Sequence, residues 1–399
     1  MLSSNSGGEA IAMLSKMSNE PEWMVSKRKS SFAIFNESTM PSFVYGLNIK
    51  LNIDLDLHSL KLNDNNIDIA SKKTITINSS QKIKSAVKIQ SNEDWEYING
   101  YFMSQSVPVH DIFTAFHGSF LGNIALIVIP KDTHIKEPIE ITTEILEKIS
   151  AEHLIVVVEE NAHATIVEKL ESKEIQYHSR VVEIFLKDNA TLNYGMVQQM
   201  HTDAFLHMIK RAILGKNAVM NWLDCSFGSR IMMNEVTSYL NGEHSCSDNY
   251  GIFFAGKNQQ YDIVANSIHN AAHTKSDIFT KGALKNNAKC IYRGLVRIEQ
   301  NAPGSNGYQK EDTLLLDQEA AADSIPNLEI ENSDVRCTHG ATIGRIDKEK
   351  LFYMQSRGLD KNAATREYVK GFFEPLILKM RIHKLQESMH EMVAERMGS

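Results

Sequence analysis

Five short stretches of the chain share a turn pattern that returns at nearly constant spacing. In each stretch a polar or glycine pair precedes an asparagine, and successive asparagines are 28, 28, 41 and 29 residues apart. A period near 28 is typical of a solenoid, and we assign the longer interval to an inserted polar loop at 238–250. Asparagine suits such a corner because it tolerates a left-handed backbone and bonds its own main chain. The five asparagines are Asn161, Asn189, Asn217, Asn258 and Asn287.

The residues on both sides of each turn repeat as well. The third and fourth positions before the asparagine are apolar in all five stretches, and alternate positions after it are mostly apolar. Because side chains alternate between the faces of a strand, each unit is predicted to be strand, tight turn, strand with one buried face. Stacked units can bury that face, at about 1.5–3 kcal/mol for each large inward side chain. An ordinary β-sandwich whose loops share asparagine is the alternative, but the repeated side-chain register favours the solenoid.

Other patterns predict the regions that flank the repeats. Glu20 to Phe35 is predicted to be helical, because proline and acidic residues suit a first turn. Residues 47–57 alternate between aliphatic and polar, which predicts a half-buried strand. After Asp347 the hydrophobic period changes from two to 3.6. The predicted organisation is an N-terminal helical and mixed region (1–105), a β-helix core (106–345) and a C-terminal helical region (346–399).

The C-terminal region carries its own helix signals. Asp347 and Asp360 stand at the N-cap positions of two predicted helices, and Pro375 should kink or restart the second. The remaining tail is amphipathic and rich in methionine. Such a tail suits either the end of its own solenoid, which needs a cap, or an adaptable interface with a partner, and the sequence leaves both alternatives open.

Composition excludes several classes of function. The net charge of −7 and the pI of about 6.1 argue against a general nucleic-acid binder, which needs a basic face. The sequence contains no run of 18 apolar residues, so no membrane span is predicted. The first ten residues lack the features of a signal peptide. The four cysteines include no CxxC pair, which disfavours a disulfide framework and fits a reducing compartment. We therefore expect a cytoplasmic protein.

Two pairs of residues could bind a metal ion. His269 and His273 have a zinc-ligand spacing on a helix, but their surroundings predict strand, so we expect polar or turn histidines there. If Cys337 begins a strand, its side chain and that of His339 point to the same side. A thiolate and an imidazole can ligate iron or an iron–sulfur cluster, although a neighbouring coil or a partner would have to supply further ligands. From these residues alone, a buried cysteine beside a hydrogen-bonded histidine is the simpler interpretation.

The chain resembles the SufB and SufD proteins of the Suf iron–sulfur assembly system. The segment CTHGATIGRID at 337–347, followed by LFYMQSRG at 351–358, resembles their long C-terminal signature. Six further stretches agree in order along the chain. They are EPEWM at 20–24, IPK at 129–131 with EPI at 137–139, KG at 281–282, YRGLV at 292–296, LLL at 314–316 and ADSIP at 322–326.

This resemblance implies a right-handed parallel β-helix between helical regions, in agreement with the repeats. It also implies a non-catalytic scaffold subunit that binds the SufC ATPase through its C-terminal helices, with Phe352, Tyr353 and Arg357 in or near the contact. The last coils would pair with a SufB-type subunit or a second copy. A transient iron–sulfur cluster would be shared at that junction, with His339 and Cys337 as candidate ligands. No Walker motif occurs, so ATP hydrolysis would belong to another chain.

Two positions bear on the subtype. SufB-type chains carry a sulfur-accepting cysteine on a late strand and an acidic residue after the motif histidine, and here those positions hold Glu311 and Gly340. Both departures favour a SufD-like chain, whereas Trp23 and residues 294–296 resemble SufB. One alternative is a homodimeric SufB-like scaffold that assembles the cluster itself. The other is a β-helix enzyme acting on polysaccharide, for which no acidic cluster with calcium-loop spacing is present.

Overall fold

Ten-residue strands joined by tight turns make up most of the molecule. The structure, a computed structural model, describes residues 4–60, 75–81, 83–104 and 109–398. The elements that precede the repeats are α1 (Ser4–Met17), α2 (Glu22–Glu37), β1 (Phe43–Tyr45), β2 (Lys50–Asn52), a 3₁₀ turn (Leu57–Ser59), β3 (Ile75–Asn78), β4 (Lys84–Ala86), α3 (Asn92–Ile98) and α4 (Ile112–Phe120).

The helix predicted near the N-terminus is present as α2, and a buried ion pair fixes its position. Arg28 donates from Nε to Glu20 at 2.7 Å and from Nη1 to the Ser119 carbonyl oxygen at 3.0 Å, which ties α2 to the end of α4. The strand predicted over 47–57 is much shorter than expected. Only β2 forms there, paired antiparallel with β1, because the Asp56 side chain accepts from the His58 N–H and caps a 3₁₀ turn instead.

The repeats form two long sheets that run the length of the molecule. The strands are β5 (Asn123–Ile129), β6 (Ile139–Ile145), β7 (Ile149–Val158), β8 (His163–Ser172), β9 (Tyr177–Leu186), β10 (Thr191–Gln199), β11 (Phe205–Leu214), β12 (Val219–Ser226), β13 (Ile231–Leu240), β14 (Cys246–Ala255), β15 (Gln260–His269), β16 (Lys275–Leu284), β17 (Lys289–Ile298), β18 (Asn306–Leu315), β19 (Ala321–Ile330) and β20 (Arg336–Arg345).

Odd-numbered strands from β5 to β19 pair in parallel in one sheet, and even-numbered strands from β6 to β20 pair in parallel in the other. Each coil therefore gives one strand to each sheet, and the coils stack into a solenoid of about eight turns. β4 and β3 extend the two sheets at the N-terminal end by antiparallel pairing. The predicted fold, a parallel β-helix flanked by helices, is confirmed.

The interior of the coils is the main core, as the side-chain register predicted. The alternate positions after each turn, such as Ala190, Leu192 and Tyr194, are fully buried and stack on their counterparts in adjacent coils. The interior also holds paired charges in the described coils. Lys210 Nζ donates to Asp224 at 2.6 Å, so the desolvation cost of each buried charge is offset by its partner.

The turns form two columns on opposite edges of the solenoid, and this corrects the repeat assignment. Asn161, Asn189 and Asn217 have positive φ between odd and even strands, and each side-chain amide donates to the previous corner at 2.7–3.0 Å. The next two stretches lie on the other edge, where the left-handed residues are Lys257 and Asn286 rather than Asn258 and Asn287.

The interval of 41 residues is consequently one coil and a half, and the predicted insertion is wrong. Residues 238–250 comprise the end of β13, a tight turn and the start of β14. His244 and His273 occupy left-handed corners that continue the first column, with their rings stacked 5.1 Å apart. His269 is buried and bonded to the hydroxyls of Thr274 and Ser276.

Three helices follow the last strand: α5 (Lys348–Ser356), α6 (Lys361–Ile377) and α7 (His383–Gly398). Asp347 and Asp360 cap α5 and α6 as predicted, and α6 ends two residues after Pro375. The methionine-rich tail packs on its own body, because Met389 and Val393 are buried against the outer face of the even-numbered sheet. Among the described helices, none has both the length and the apolarity needed to cross a membrane.

Candidate functional site

At the C-terminal end of the solenoid both sheets stop at an open edge, formed by β19 and β20. β19 pairs only with β17 and β20 only with β18, so within the described residues neither has a strand on its outer side. Most side chains of β20 are exposed. Backbone N–H and C=O groups along such edges are ready to pair with another chain.

Cys337 and His339 lie on this edge, on β20. In the parallel register Cys337 is opposite Gly307 and His339 is opposite Gln309. The strand is regular from Arg336 to Arg345, so the two side chains leave the same face of the sheet. Cys337 is half-buried against the core and His339 is exposed. Burial raises the pKa of the Cys337 thiol, so an approaching cation would have to draw off the proton to make it a metal ligand.

Two glycines leave the space that the polar side chains of the last coils occupy. A Cβ on Gly307 would lie 2.6 Å from Val296 Cγ1 and 3.2 Å from the Cys337 sulfur. A Cβ on Gly294 would lie 1.7 Å from Gln309 Nε2. Gly294 therefore has a packing role. The sequence identifies this glycine only as part of the YRGLV stretch and does not predict that role.

A buried polar pair lies beneath the edge strand, and sequence reasoning missed its environment. Gln309 is fully buried, and neither its Oε1 nor its Nε2 has a hydrogen-bond partner within the described part of the chain. Glu311 is 1% exposed and accepts from the Thr313 hydroxyl. Burial raises the pKa of Glu311 from 4.5 to about 7, so this carboxyl can hold or release a proton near neutral pH. In the register Glu311 is opposite Ala341, two residues beyond His339.

The chain alone does not assemble a complete metal centre among the residues described. No group of three or more His, Cys, Asp or Glu side chains there is arranged to hold a metal ion. All four cysteines are free thiols, with Cys225 and Cys290 buried. The open edge thus places one thiol and one imidazole on the same face as a buried carboxyl, and among the described residues no third ligand lies beside them.

A second candidate surface lies on α5. Phe352 and Tyr353 are 72% and 59% exposed, and no residue of α5 is buried. Arg357 lies over the Tyr353 ring with its guanidinium carbon 5.2 Å from the ring centroid. A short helix that exposes two adjacent aromatic rings is typical of a surface that another protein covers.

One contact links this helical region to the coils beneath the edge. Lys281 on β16 donates to the Phe372 carbonyl oxygen on α6 at 2.7 Å, and its ammonium lies 4.2 Å from the Phe372 ring centroid. Lys281 is also 3.8 Å from Asp312 on β18, the residue next to Glu311. No pattern in the sequence marks Lys281 as an anchor for α6, because the contact joins residues 91 positions apart.

Comparison with known proteins decides the family. The profile described as "SUF system FeS cluster assembly, SufBD core domain" matches residues 141–372, more than half of the chain. The chain belongs to the SufBD family. It is similar to the iron-sulfur cluster assembly SufBD family proteins of Staphylococcus aureus strain USA300 and Staphylococcus haemolyticus strain JCSC1435. Each is 28% identical, over 92% of this chain and 87% of the relative.

Family membership confirms the resemblance found in the sequence and assigns the chain a role in iron–sulfur cluster assembly. The matched range includes the Lys281 anchor, the buried Glu311, both candidate ligands on β20 and the exposed rings of α5. The open edge and α5 therefore belong to the family core, and the polysaccharide-active alternative has no support.

Proposed function

We propose that this chain is a non-catalytic, SufD-like subunit of a cytoplasmic Suf scaffold complex. The observation that carries the proposal is the exposure of His339 on the edge strand β20, beside a half-buried thiol and without a third ligand among the described residues. A cluster is the cargo of such a subunit, and it would be held only while a partner supplies the remaining ligands.

The partner at the edge is a SufB-type subunit. β19 and β20 offer one unpaired strand edge from each sheet, so a partner solenoid with the same two-sheet cross-section can continue both sheets. Pairing of this kind places partner residues directly beside His339. It also supplies the sulfur-accepting cysteine that this chain replaces with Glu311.

The partner at the helices is a SufC-type ATPase, which binds Phe352, Tyr353 and Arg357. Movement of α5 and α6 during ATP hydrolysis would pull on Lys281, which contacts both α6 and the Asp312 side chain of β18. Such a displacement can open and close the subunit junction for iron entry. The chain itself contributes the Lys281 contact and one set of ligands, and the ATPase contributes the energy.

A homodimeric scaffold that builds the cluster itself is the second candidate. Trp23 and residues 294–296, which resemble SufB, favour it. The two candidates differ in whether the chain pairs with itself. Sedimentation of the purified chain, alone and with a SufB-type subunit, separates them: a monomer alone supports the SufD-like role, and a stable dimer alone supports the homodimer.

Cluster formation on the purified complex tests the role of the edge. The chain, a SufB-type subunit and a SufC-type ATPase are reconstituted anaerobically with ferrous iron and sulfide, and cluster yield is read from the visible absorbance. His339→Ala should lower the yield severalfold while the complex elutes unchanged from size exclusion. Thr338→Ala, on the same strand but the opposite face, is the matched control. An unchanged yield in His339→Ala would contradict the proposal.

A further inference from the structure

A cationic cavity lies on the edge of the solenoid away from the asparagine corners. Its volume is about 240 Å³. The turn that precedes β15 and the turn that precedes β17 form one side, and the end of α7 forms another. The cavity is remote in sequence from the cluster-site residues on β20, and none of the family-site residues described above lines it.

The lining carries a marked excess of positive charge. Arg230, Lys257, Lys285 and Arg396 line the cavity, and Asp203 is the one carboxylate in its lining among the residues that the structure describes. Arg230 donates to Asp54 through two bonds of 2.8 Å, and Asp54 is outside the lining. Because Asp54 balances the charge of Arg230, the excess comes from Lys257, Lys285 and Arg396 against Asp203, and a concave wall focuses the resulting field.

The two turns that present these lysines are held rigidly. The Lys257 N–H donates to Asn286 Oδ1 at 3.1 Å, and the Asn286 N–H donates to Asp317 Oδ2 at 2.6 Å. The Gln259 amide donates to the Ser229 carbonyl oxygen at 2.6 Å. Positions fixed by such bonds lose little freedom when a ligand binds, and this favours affinity.

Arg396 reaches the cavity from the other side. Burial raises the pKa of Tyr261, which lies inside the coil at this turn, and the positive charge of Arg396 opposes that rise. Phe254, which is buried, adds an apolar wall. The cavity thus combines charges for an anion with a surface on which a small apolar or planar group can rest.

We propose that this cavity binds a small phosphate-bearing molecule, such as a mononucleotide or a sugar phosphate. Lysine and arginine are the side chains that proteins use for phosphate, through charge-assisted hydrogen bonds. The volume of about 240 Å³ is below the usual range of ligand pockets, which favours a small ligand over a dinucleotide. Because Arg396 belongs to α7 and the lysines to the solenoid, the bound phosphate bridges the two and holds the C-terminal helices on the body. This inference does not depend on the role in cluster assembly.

Calorimetric titration of the full-length protein at low salt tests the proposal. The probes are inorganic phosphate, pyrophosphate, AMP, ribose 5-phosphate and adenosine. Saturable binding of at least one phosphorylated probe, and none of adenosine, is expected; the ranking of the probes distinguishes free phosphate from a phosphate ester. Lys257→Gln and Arg396→Gln should each weaken binding about tenfold or more.

Lys216→Gln is the matched control, because Lys216 is an exposed turn lysine on the opposite edge, 3.7 Å from Glu243. It should leave the affinity unchanged. Absence of saturable binding by every phosphorylated probe at about 1 mM, or equal weakening in Lys216→Gln, would overturn the proposal. Amide hydrogen exchange gives a second measurement. The bound probe should slow exchange in α7 of the wild-type protein and leave exchange in α7 of the Lys257→Gln variant unchanged. Because Lys257 is exposed, this substitution leaves the fold intact.

Discussion

The Lys281 ammonium lies 2.7 Å from the Phe372 carbonyl oxygen, so a side chain from the solenoid ends on the backbone of α6. The bond is part-buried, and an Asp312 carboxylate oxygen lies 3.8 Å from the same ammonium. Helix carbonyls before the last turn are already paired within the helix, so this contact adds a second donor that fixes where α6 sits. If an ATPase binds the C-terminal helices, as proposed above, α6 is the element through which its motion can reach β18.

Replacing Lys281 with methionine should loosen α6 without unfolding the coils. The change removes a charged hydrogen bond worth about 1.5–3 kcal/mol and keeps most of the side-chain volume. Hydrogen exchange in α6 should accelerate about tenfold or more. Lys275→Met, on the same strand but exposed, is the control. Equal exchange rates in the two variants would show that Lys281 does not hold the helix.

The asparagine corners give a prediction about stability. Asn189 has φ of 58°, donates to Asn161 Oδ1 at 3.0 Å and accepts from the Asn217 amide at 2.9 Å. Asn189→Ala removes both bonds and places alanine in a left-handed conformation, so we expect a loss of about 1–3 kcal/mol in unfolding free energy.

Asn258→Ala is the matched control for that measurement, because Asn258 has the same place in the sequence motif but is outside the left-handed residues. Urea unfolding of both variants should show a change below about 0.5 kcal/mol for Asn258→Ala. Similar losses in the two variants would mean that the motif, rather than the corner conformation, governs stability.

Glu311 gives a prediction about pH. Its pKa is raised from 4.5 to about 7 by burial, so the folded protein keeps a proton that the unfolded chain releases above pH 4.5. The stability that this group contributes is therefore full below pH 4.5 and is lost as the pH rises towards 7, by as much as about 3 kcal/mol. Glu311→Gln keeps a neutral group throughout and should flatten this part of the pH dependence.

Urea unfolding at pH 5, 6 and 7.5 measures that slope. Asp262 also titrates in this window, since burial raises its pKa to about 6, so the quantity to compare is the difference between wild type and Glu311→Gln. Glu319→Gln, an exposed carboxyl between β18 and β19, should show the wild-type slope. If the unfolding free energy of Glu311→Gln changed with pH as steeply as that of the wild type, the pH dependence would have to come from other groups.

The repeats made the fold predictable, and the edges of the solenoid limited that prediction. The alternation of apolar and polar residues after each asparagine identified the buried positions, because successive side chains of a strand point to opposite faces of the sheet. The same motif occurs on both edges of the solenoid, however, and Asn258 has the same position in that motif as Asn189. Asn189 is left-handed and joins an odd strand to an even one, whereas Asn258 follows the left-handed Lys257 and joins an even strand to an odd one. The interval of 41 residues is therefore a coil and a half rather than an insertion.

The candidate site was predictable in position but not in chemistry. The signature around Cys337 located the edge strand, and its placement at the end of the repeats followed from chain order. The burial of Glu311 and Gln309 did not, because it depends on Gly294 and on strands far apart in sequence. The Lys281 contact with α6 and the cavity bounded by Arg396 likewise arise only from packing of the C-terminal helices on the coils.

The exposed rings of α5 give the last prediction. Phe352→Ser combined with Tyr353→Ser should weaken binding of a SufC-type ATPase at least about tenfold, because adjacent aromatic residues at the centre of an interface contribute most of its binding free energy. The stability of the chain itself should stay within about 0.5 kcal/mol of wild type, since both rings are largely exposed. Leu378→Ser is the matched control, as Leu378 is 69% exposed at the far end of α6. Calorimetric titration of the ATPase into each variant decides the matter: equal affinities in the double variant and in Leu378→Ser would exclude α5 as the docking surface.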